Sequence, residues 1–355
     1  MSAPVSRLGS LSVIIASFNS AEWLPSTIDS LCSALTKAGR SAEIVVVNDG
    51  STDDSGAVLE EIRQRVPYDL VVIDQENQGR FLARWSGISA ARHDDVLILD
   101  SRLLVHPDSI AYLDRAIEDP ASPRTWNGHV ATDASAPLVG QFWSVPTYVF
   151  WGYYLANPRP INITAENFDR VPKGTGFLFV QRSLFKRACL DAWPEKNADL
   201  TSDDTKLLRY IADEGPIRLD PGFSATYRPR GTVRQFFSHS FTRGTLFVDS
   251  YAGTSALRNA VLVTLSILPW AGVLALVVLV ASRHFAVAAG ITAIVLIGIA
   301  IPAIIALLRR CPPRSALSYA VYVVPFGFFF AAGLGRGIVL HRKSFLRKSR
   351  QDIHR

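Results

Sequence analysis

An α/β domain with a mostly parallel sheet, followed by a helical transmembrane segment, is the fold this 355-residue sequence predicts. Two observations lead there. The first two thirds alternate short, continuously apolar runs with stretches of helical periodicity, the pattern of strands covered on both faces by helices. The C-terminal part holds three uncharged runs, 260–281, 285–308 and 317–335. The length leaves room for one domain of about 240 residues and a membrane appendage.

Residues 11–16 are a first apolar, β-branched run ending at Ser17-Phe18-Asn19. Over 21–38 the spacing is helical, with Trp23, Leu24, Ile28, Leu31 and Leu35 on one face. A second strand, 43–47, ends in Asn48-Asp49-Gly50, and Ser51 or Asp53 can cap a helix running to about residue 65. A third strand covers 70–74, Asn77-Gln78-Gly79 makes a turn, 81–92 reads as a helix and 96–100 as a fourth strand. Parallel sheets bind ligands beyond the carboxyl ends of their strands. Asn19, Asp49 and Asp100 stand at three of those ends. Beyond Pro107, residues 107–117 look helical and 119–137 read as a loop. Residues 141–154 are crowded with aromatics, for which two readings stand: an apolar pair of core strands, or an interfacial or acceptor-binding surface.

The first two uncharged runs each exceed the roughly 20 residues needed to cross a hydrocarbon core. Only Ser282-Arg283-His284 separates them, which implies a tight helical hairpin. Arg309, Arg310 and Arg314 follow and mark the returning side as cytoplasmic. The third run contains Pro325, Gly327, Gly333 and Gly335. From residue 341 onward, six Lys/Arg face one Asp and supply +5 of the chain's formal +6. A third full span would put that basic tail outside, so a re-entrant or interfacial third run is expected, with the tail inside. Next to a membrane segment such a tail reads as a contact for anionic lipid headgroups, not a nucleic-acid patch. The opening residues hold an apolar run of only about five residues that leads straight into the first strand, so no secretory signal is expected. Cys32, Cys189 and Cys311 are scattered, which argues against a disulfide framework or a zinc site.

The segments SVIIASFNSAEWLPSTIDSL, EIVVVNDGSTDDS, ENQGRFLARWSGISAA and DDVLILDSRLLVHPDSI occur in the order and spacing of inverting family 2 glycosyltransferases. Downstream, GTGFLFVQRSLF, TSDDTKLLRYIADEGPIRLDP and YRPRGTVRQFFSHSFTRG resemble the acceptor half. The likeness covers about residues 10–250 and is strongest to membrane-attached, exopolysaccharide-building members of the succinoglycan type. It implies a GT-A fold, a nucleotide-diphospho-sugar transferase sheet of Rossmann-like kind. It also implies donor-binding roles for Ser17, Asn19, Glu22, Asp49, Asn77, Arg80, Asp100 and Arg102. Asp49 would read the base or ribose edge, or else it merely caps the following helix. Gly174, Thr175 and Gly176 resemble the acceptor-side loop. Gln235, His239 and Arg243 lie in an altered form of the Gln-x-x-Arg-Trp element of processive synthases, or in an interfacial helix.

In that family the fourth strand ends in an Asp-x-Asp pair that binds a divalent cation, Mg²⁺ or Mn²⁺, on the diphosphate. Here the triplet is Asp100-Ser101-Arg102. Asp100 remains the one metal-ligand candidate. Three readings stand: Asp100 still holds the cation, Arg102 does part of the cation's work, or catalysis is lost. An inverting transfer also needs a base for the acceptor hydroxyl. The resemblance assigns that role to Asp204, with Asp203 as its neighbour, at the start of the helix KLLRYIADEG. The expected layout is a GT-A domain over 1–240, with nucleotide half 10–105 and acceptor half 106–230. An interfacial linker helix follows over 241–259, then membrane helices 260–281, 285–308 and 317–340, then a basic tail 341–355. The expected activity is inverting transfer of a single sugar from a nucleotide-sugar donor to a polyprenyl-linked glycan at the cytoplasmic face of a lipid membrane. A polyprenyl-phosphate monoglycosyltransferase and a catalytically silent scaffold subunit are the rivals.

Overall fold

In the computed structural model, which describes residues 9–194, 201 and 204–346, each of the first four apolar runs is a strand. They are β1 (Leu11–Ser17), β2 (Ala42–Asp49), β3 (Asp69–Gln75) and β4 (Asp95–Asp100), separated by helices α1 (Leu24–Ala38), α2 (Ser55–Arg65) and α3 (Arg80–Ala90). β1 runs parallel to both β2 and β4, and β2 parallel to β3. The order β3-β2-β1-β4 therefore reverses at β1. The carboxyl ends of β1, β2 and β4 flank that reversal, where an open α/β sheet forms its ligand crevice. The strand interiors are buried, as both-face coverage requires: Val13, Ile14, Ile15, Val45, Val46 and Ile98 are wholly inaccessible.

The sheet continues as a mixed one. After β5 (Leu103–Val105) and α4 (Ser109–Ile117), β6 (Thr125–Thr132) enters the sheet. Later come β7 (Ile161–Ile163), β8 (Phe177–Gln181), α6 (Arg182–Asp191), α7 (Thr205–Glu214) and β9 (Ile217–Tyr227). Among the described residues this makes a nine-stranded sheet in the order β3-β2-β1-β4-β8-β6-β9-β5, with β7 added on β9. β6 corrects the loop reading of 119–137. Its register shifts between Gly128 and His129, and that irregularity, in a segment carrying Asn127-Gly128, hides the strand from a period-2 search. The buried guanidinium of Arg40 ties elements together, donating to Asp114 at 2.5 Å and Asp95 at 3.0 Å. Removing both carboxylates would strand the charge, at about 3–5 kcal/mol.

The chain divides into two compact units. One comprises Met1–Asp133 and Asn157–Pro229; the other comprises Ala134–Ala156 and Arg230–Arg355. The second unit is helical: α5 (Ser144–Leu155), α8 (Val233–Tyr251), α9 (Ala256–Ala281), α10 (Phe285–Leu308) and α11 (Pro313–Leu340). The last three, of 26, 24 and 28 residues, are long and apolar enough to cross a membrane. The third is one continuous helix despite Pro325, which corrects the re-entrant alternative for this run. Neighbouring helices re-satisfy backbone freed by a proline, and here the glycines let α8 press against α11. A side chain on Gly333 would strike the Phe241 carbonyl, and one on Gly244 the Phe330 carbonyl.

The aromatic stretch 141–154 is not a pair of core strands. It is a short 3-10 turn, Leu138–Gln141, leading into α5. Phe142 and Val139 pack with Phe236, Tyr319, Tyr322 and Phe326 of α8 and α11. Arg309 donates to the carbonyls of Tyr148 and Val149. Aromatic strand preference yields here to tertiary packing. Phe150 and Tyr153 remain 74% and 79% exposed.

Candidate functional site

Asp49 ends β2 with its carboxylate nearly inaccessible, at 3% exposure. Oδ1 accepts from Gln75 Nε2 at 2.7 Å and from the Gln78 backbone at 2.9 Å, and Oδ2 accepts from the Gly79 backbone at 2.9 Å. It therefore folds the loop between β3 and α3, and it does not cap α2, where Asp53 Oδ1 instead accepts from the Ser55 backbone at 3.1 Å. The loop lies close enough that a Cβ on Gly50, at φ +68°, would meet the Asn77 backbone nitrogen. Only glycine meets both demands. Across from it, Asn19 holds φ 47°. Its Oδ1 accepts from the Thr52 backbone at 2.7 Å and its own N–H donates to Ser51 Oγ at 3.0 Å. The loops after β1 and β2 are thus locked together. Ser17 is buried with its hydroxyl unpartnered among the described residues, and Glu22 is exposed just beyond.

A second group forms where β4 meets β8. The Asp100 backbone donates to the Gly176 carbonyl at 2.7 Å, and its Oδ1 accepts from the Arg102 backbone at 3.0 Å. Gly174 exchanges hydrogen bonds with Asn127, whose Nδ2 donates to the Gly174 carbonyl at 2.6 Å. Between the glycines, the wholly buried Thr175 donates to Asp204 through its backbone at 2.9 Å and through its hydroxyl. Arg84 of α3 donates to the same hydroxyl, and Arg80 reaches Asp204 at 3.8 Å. Burial pushes the Asp204 carboxyl up, but Arg80, Arg84 and the Thr175 bonds outweigh it and bring its pKa to about 2. The carboxylate is ionised and pre-oriented.

The structure thus brings Asp100, Thr175, Gly176, Arg80 and Asp204 together, with Asn19, Asp49 and Asn77 at neighbouring strand ends. Asp203 lies outside the described residues. Gln235, His239 and Arg243 belong to the second unit. They recur every fourth residue along α8 and so share one face; the Arg243 guanidinium lies 4.4 Å from the centre of the Trp143 ring. From the sequence, Arg84, Asn127 and Arg228 carry no functional expectation, and Trp23 only a place on the apolar face of the first helix. Arg84 carried one signal, its four-residue spacing from Arg80.

Among the described residues no three His, Cys, Asp or Glu side chains gather in a way that could hold a metal ion. Asp100 is the only carboxylate left at the strand end, one of its oxygens is engaged by the Arg102 backbone, and Arg102 brings positive charge beside it. This donor set does not fit a protein-held divalent cation.

Residues 12–123 match the family described as glycosyl transferase family 2. An uncharacterised glycosyltransferase of Nostoc sp. is 37% identical over 91 residues, 26% of this chain and 27% of that protein. The poly-β-1,6-N-acetyl-D-glucosamine synthase of Staphylococcus aureus is 29% identical over 149 residues, 38% of this chain and 35% of that protein. The chain thus matches about a third or less of these relatives' own length. A mannosyltransferase from Pyrobaculum calidifontis, solved with GDP-Man and Mn²⁺, superposes with a TM-score of 0.55 at 17% identity, over 96% of this chain and 90% of that one. The fold is GT-A, a mostly parallel sheet with helices, followed by three apolar C-terminal helices.

Proposed function

We propose that this chain, whose residues 12–123 form a glycosyl transferase family 2 domain, is an inverting, non-processive glycosyltransferase. It moves one sugar from a nucleotide-diphosphate donor to a polyprenyl-linked glycan. The single observation that carries the reading is Asp204, a carboxylate fixed by Thr175 beside Asp100 and Gly176 at the carboxyl end of the parallel strands. In the transfer, the acceptor hydroxyl loses its proton to Asp204 as its oxygen bonds to the sugar C1. The C1–O bond to the diphosphate breaks, and the electron pair leaves with the phosphate oxygen. A base with a pKa near 2 is weak, and Arg80 and Arg84 are what depress it. If Arg80 turns to the donor phosphates, the carboxylate becomes more basic when the donor is in place.

On this reading the loop that Asp49 holds, with Asn19 and Asn77, receives the nucleoside, and Ser17 and Glu22 border it. Gly174 lets the acceptor approach the backbone. Gln235, His239 and Arg243 are proposed to meet the acceptor. Three helices able to cross a membrane support a lipid-linked acceptor, and Arg309, Arg310 and Arg314 support a cytoplasmic catalytic domain. The Staphylococcus and Pyrobaculum proteins are named for different sugars, so the donor must be found by titration. Binding of UDP-, GDP- and dTDP-sugars to the full chain in detergent should show saturable affinity for at least one. Asp49→Ala should weaken it at least about tenfold, ~1.4 kcal/mol. Affinity unchanged in Asp49→Ala would contradict the role of this loop.

A further inference from the structure

Two arginines beside the sheet are matched to acids: Arg40 takes Asp114 and Asp95, and Arg92 takes Glu43 and Asp69. Arg102 and Arg228 have no such match among the described residues, and they share one ring. Arg102, two residues beyond the end of β4, has its guanidinium carbon 4.7 Å from the centre of the Trp23 indole. Arg228, just past β9, lies 5.0 Å from the same centre. Arg228 donates to the Trp23 carbonyl at 3.1 Å, Thr27 Oγ1 at 2.5 Å, Ser26 Oγ and, at 3.4 Å, the Arg102 carbonyl. Every one of these acceptors is neutral. Nη1 of Arg102 is buried with no hydrogen-bond partner among the described residues. Among the described residues neither guanidinium has an ion-pair partner. Burial and the charge of Arg102 both push the Arg228 pKa down, while Glu22, Asp133 and Asp100 oppose this from a distance.

Two like charges held on one indole, with a donor unsatisfied, destabilise the empty site. An anion that accepts from Arg102 removes both defects, since a guanidinium binds phosphoryl oxygens bidentately. Stacking on Trp23 restricts the plane in which Arg102 offers its donors. Arg228 is spent on neutral acceptors and acts as a positioning residue.

We propose that Arg102, set on Trp23 and buttressed by Arg228, is a phosphoryl subsite for the donor's diphosphate, in which fixed guanidinium charge replaces a protein-held divalent cation. The inference rests on the donor reading above. The donor is preferred to a lipid phosphate because the Arg102 backbone is clamped to Asp100 at the strand end.

The test is calorimetric titration of the full chain in detergent, in EDTA and in Mn²⁺. The probes are pyrophosphate, UDP, GDP, the matching nucleosides and farnesyl phosphate. Pyrophosphate and one nucleoside diphosphate should bind in EDTA, with Mn²⁺ changing affinity less than about threefold. Arg102→Gln should weaken both about tenfold or more with or without Mn²⁺, leave nucleoside binding alone and not lower the melting temperature of the free protein. Trp23→Leu should weaken them less. If pyrophosphate binds only with Mn²⁺ and Arg102→Gln is silent, the inference falls, while nucleoside binding would keep the donor reading alive. If Arg102→Gln costs only farnesyl phosphate, the subsite is the acceptor's and the donor assignment is overturned. Pyrophosphate bound through Arg102 with no nucleotide bound anywhere supports the subsite and overturns the donor reading instead.

Discussion

Asp204 is held by Thr175, Arg80 and Arg84, and replacing the carboxylate or the charge beside it has different consequences. Asp204→Asn removes the base itself, so turnover should fall about 10²- to 10⁴-fold while nucleotide affinity stays within a few-fold. Arg80→Gln removes a lowering influence, so the Asp204 pKa should rise. Its base form, ionised above about pH 2 in the free protein, would then be lost at a higher pH. The acid limb of kcat/KM should move up, and an unmoved limb would mean that Arg80 does not govern this carboxylate. The same shift bears on folding. A depressed carboxyl contributes stability in full above the ordinary aspartate value of about 3.9, and that contribution is lost as pH falls towards about 2.

At the scale of elements, the close approach of α8 and α11 depends on Gly244, Gly333 and Gly337, each of which would collide with the facing helix if it bore a side chain. Gly333 and Gly337 are four apart and line one stripe, as small residues do where membrane helices meet. Gly333→Val should part the helices at a cost of about 1–3 kcal/mol or more, lowering the melting temperature in detergent. An unchanged melting temperature would show that the contact contributes nothing. The strands β1 to β4 were legible because each is a short apolar run closed by a polar residue, and Asn19, Asp49 and Asp100 stood out at those ends. β6 was not legible, since Asn127-Gly128 imitates a turn. Nor was α5, whose aromatics favour strands until the helices that bury Phe142 and Val145 are known. Arg228 meets the turn of Arg102 across more than a hundred residues, a pairing that no local pattern announces.

For the molecule as a whole, the sequence suggested one soluble stretch followed by a membrane tail. The structure instead assigns Ala134–Ala156 to the helical unit. Truncation tests the difference. Ending the chain at residue 259 removes most of α9 and all of α10 and α11 and bares Phe142, Phe236 and Val145, so that protein should aggregate. Ending it at residue 229, with 134–156 replaced by a flexible linker, should leave a soluble α/β domain that still binds nucleotide. Equal solubility of the two proteins would contradict the division into units.

Label transfer tests the central claim most directly. Membranes containing the full chain would be supplied with radiolabelled UDP-, GDP- and dTDP-sugars and native lipid extract, and the lipid fraction counted. One donor should label a lipid product in the wild-type protein, with the loss about 10²-fold or more in Asp204→Asn. No transfer from any donor, or more than about a tenth of wild-type turnover in Asp204→Asn, would contradict it.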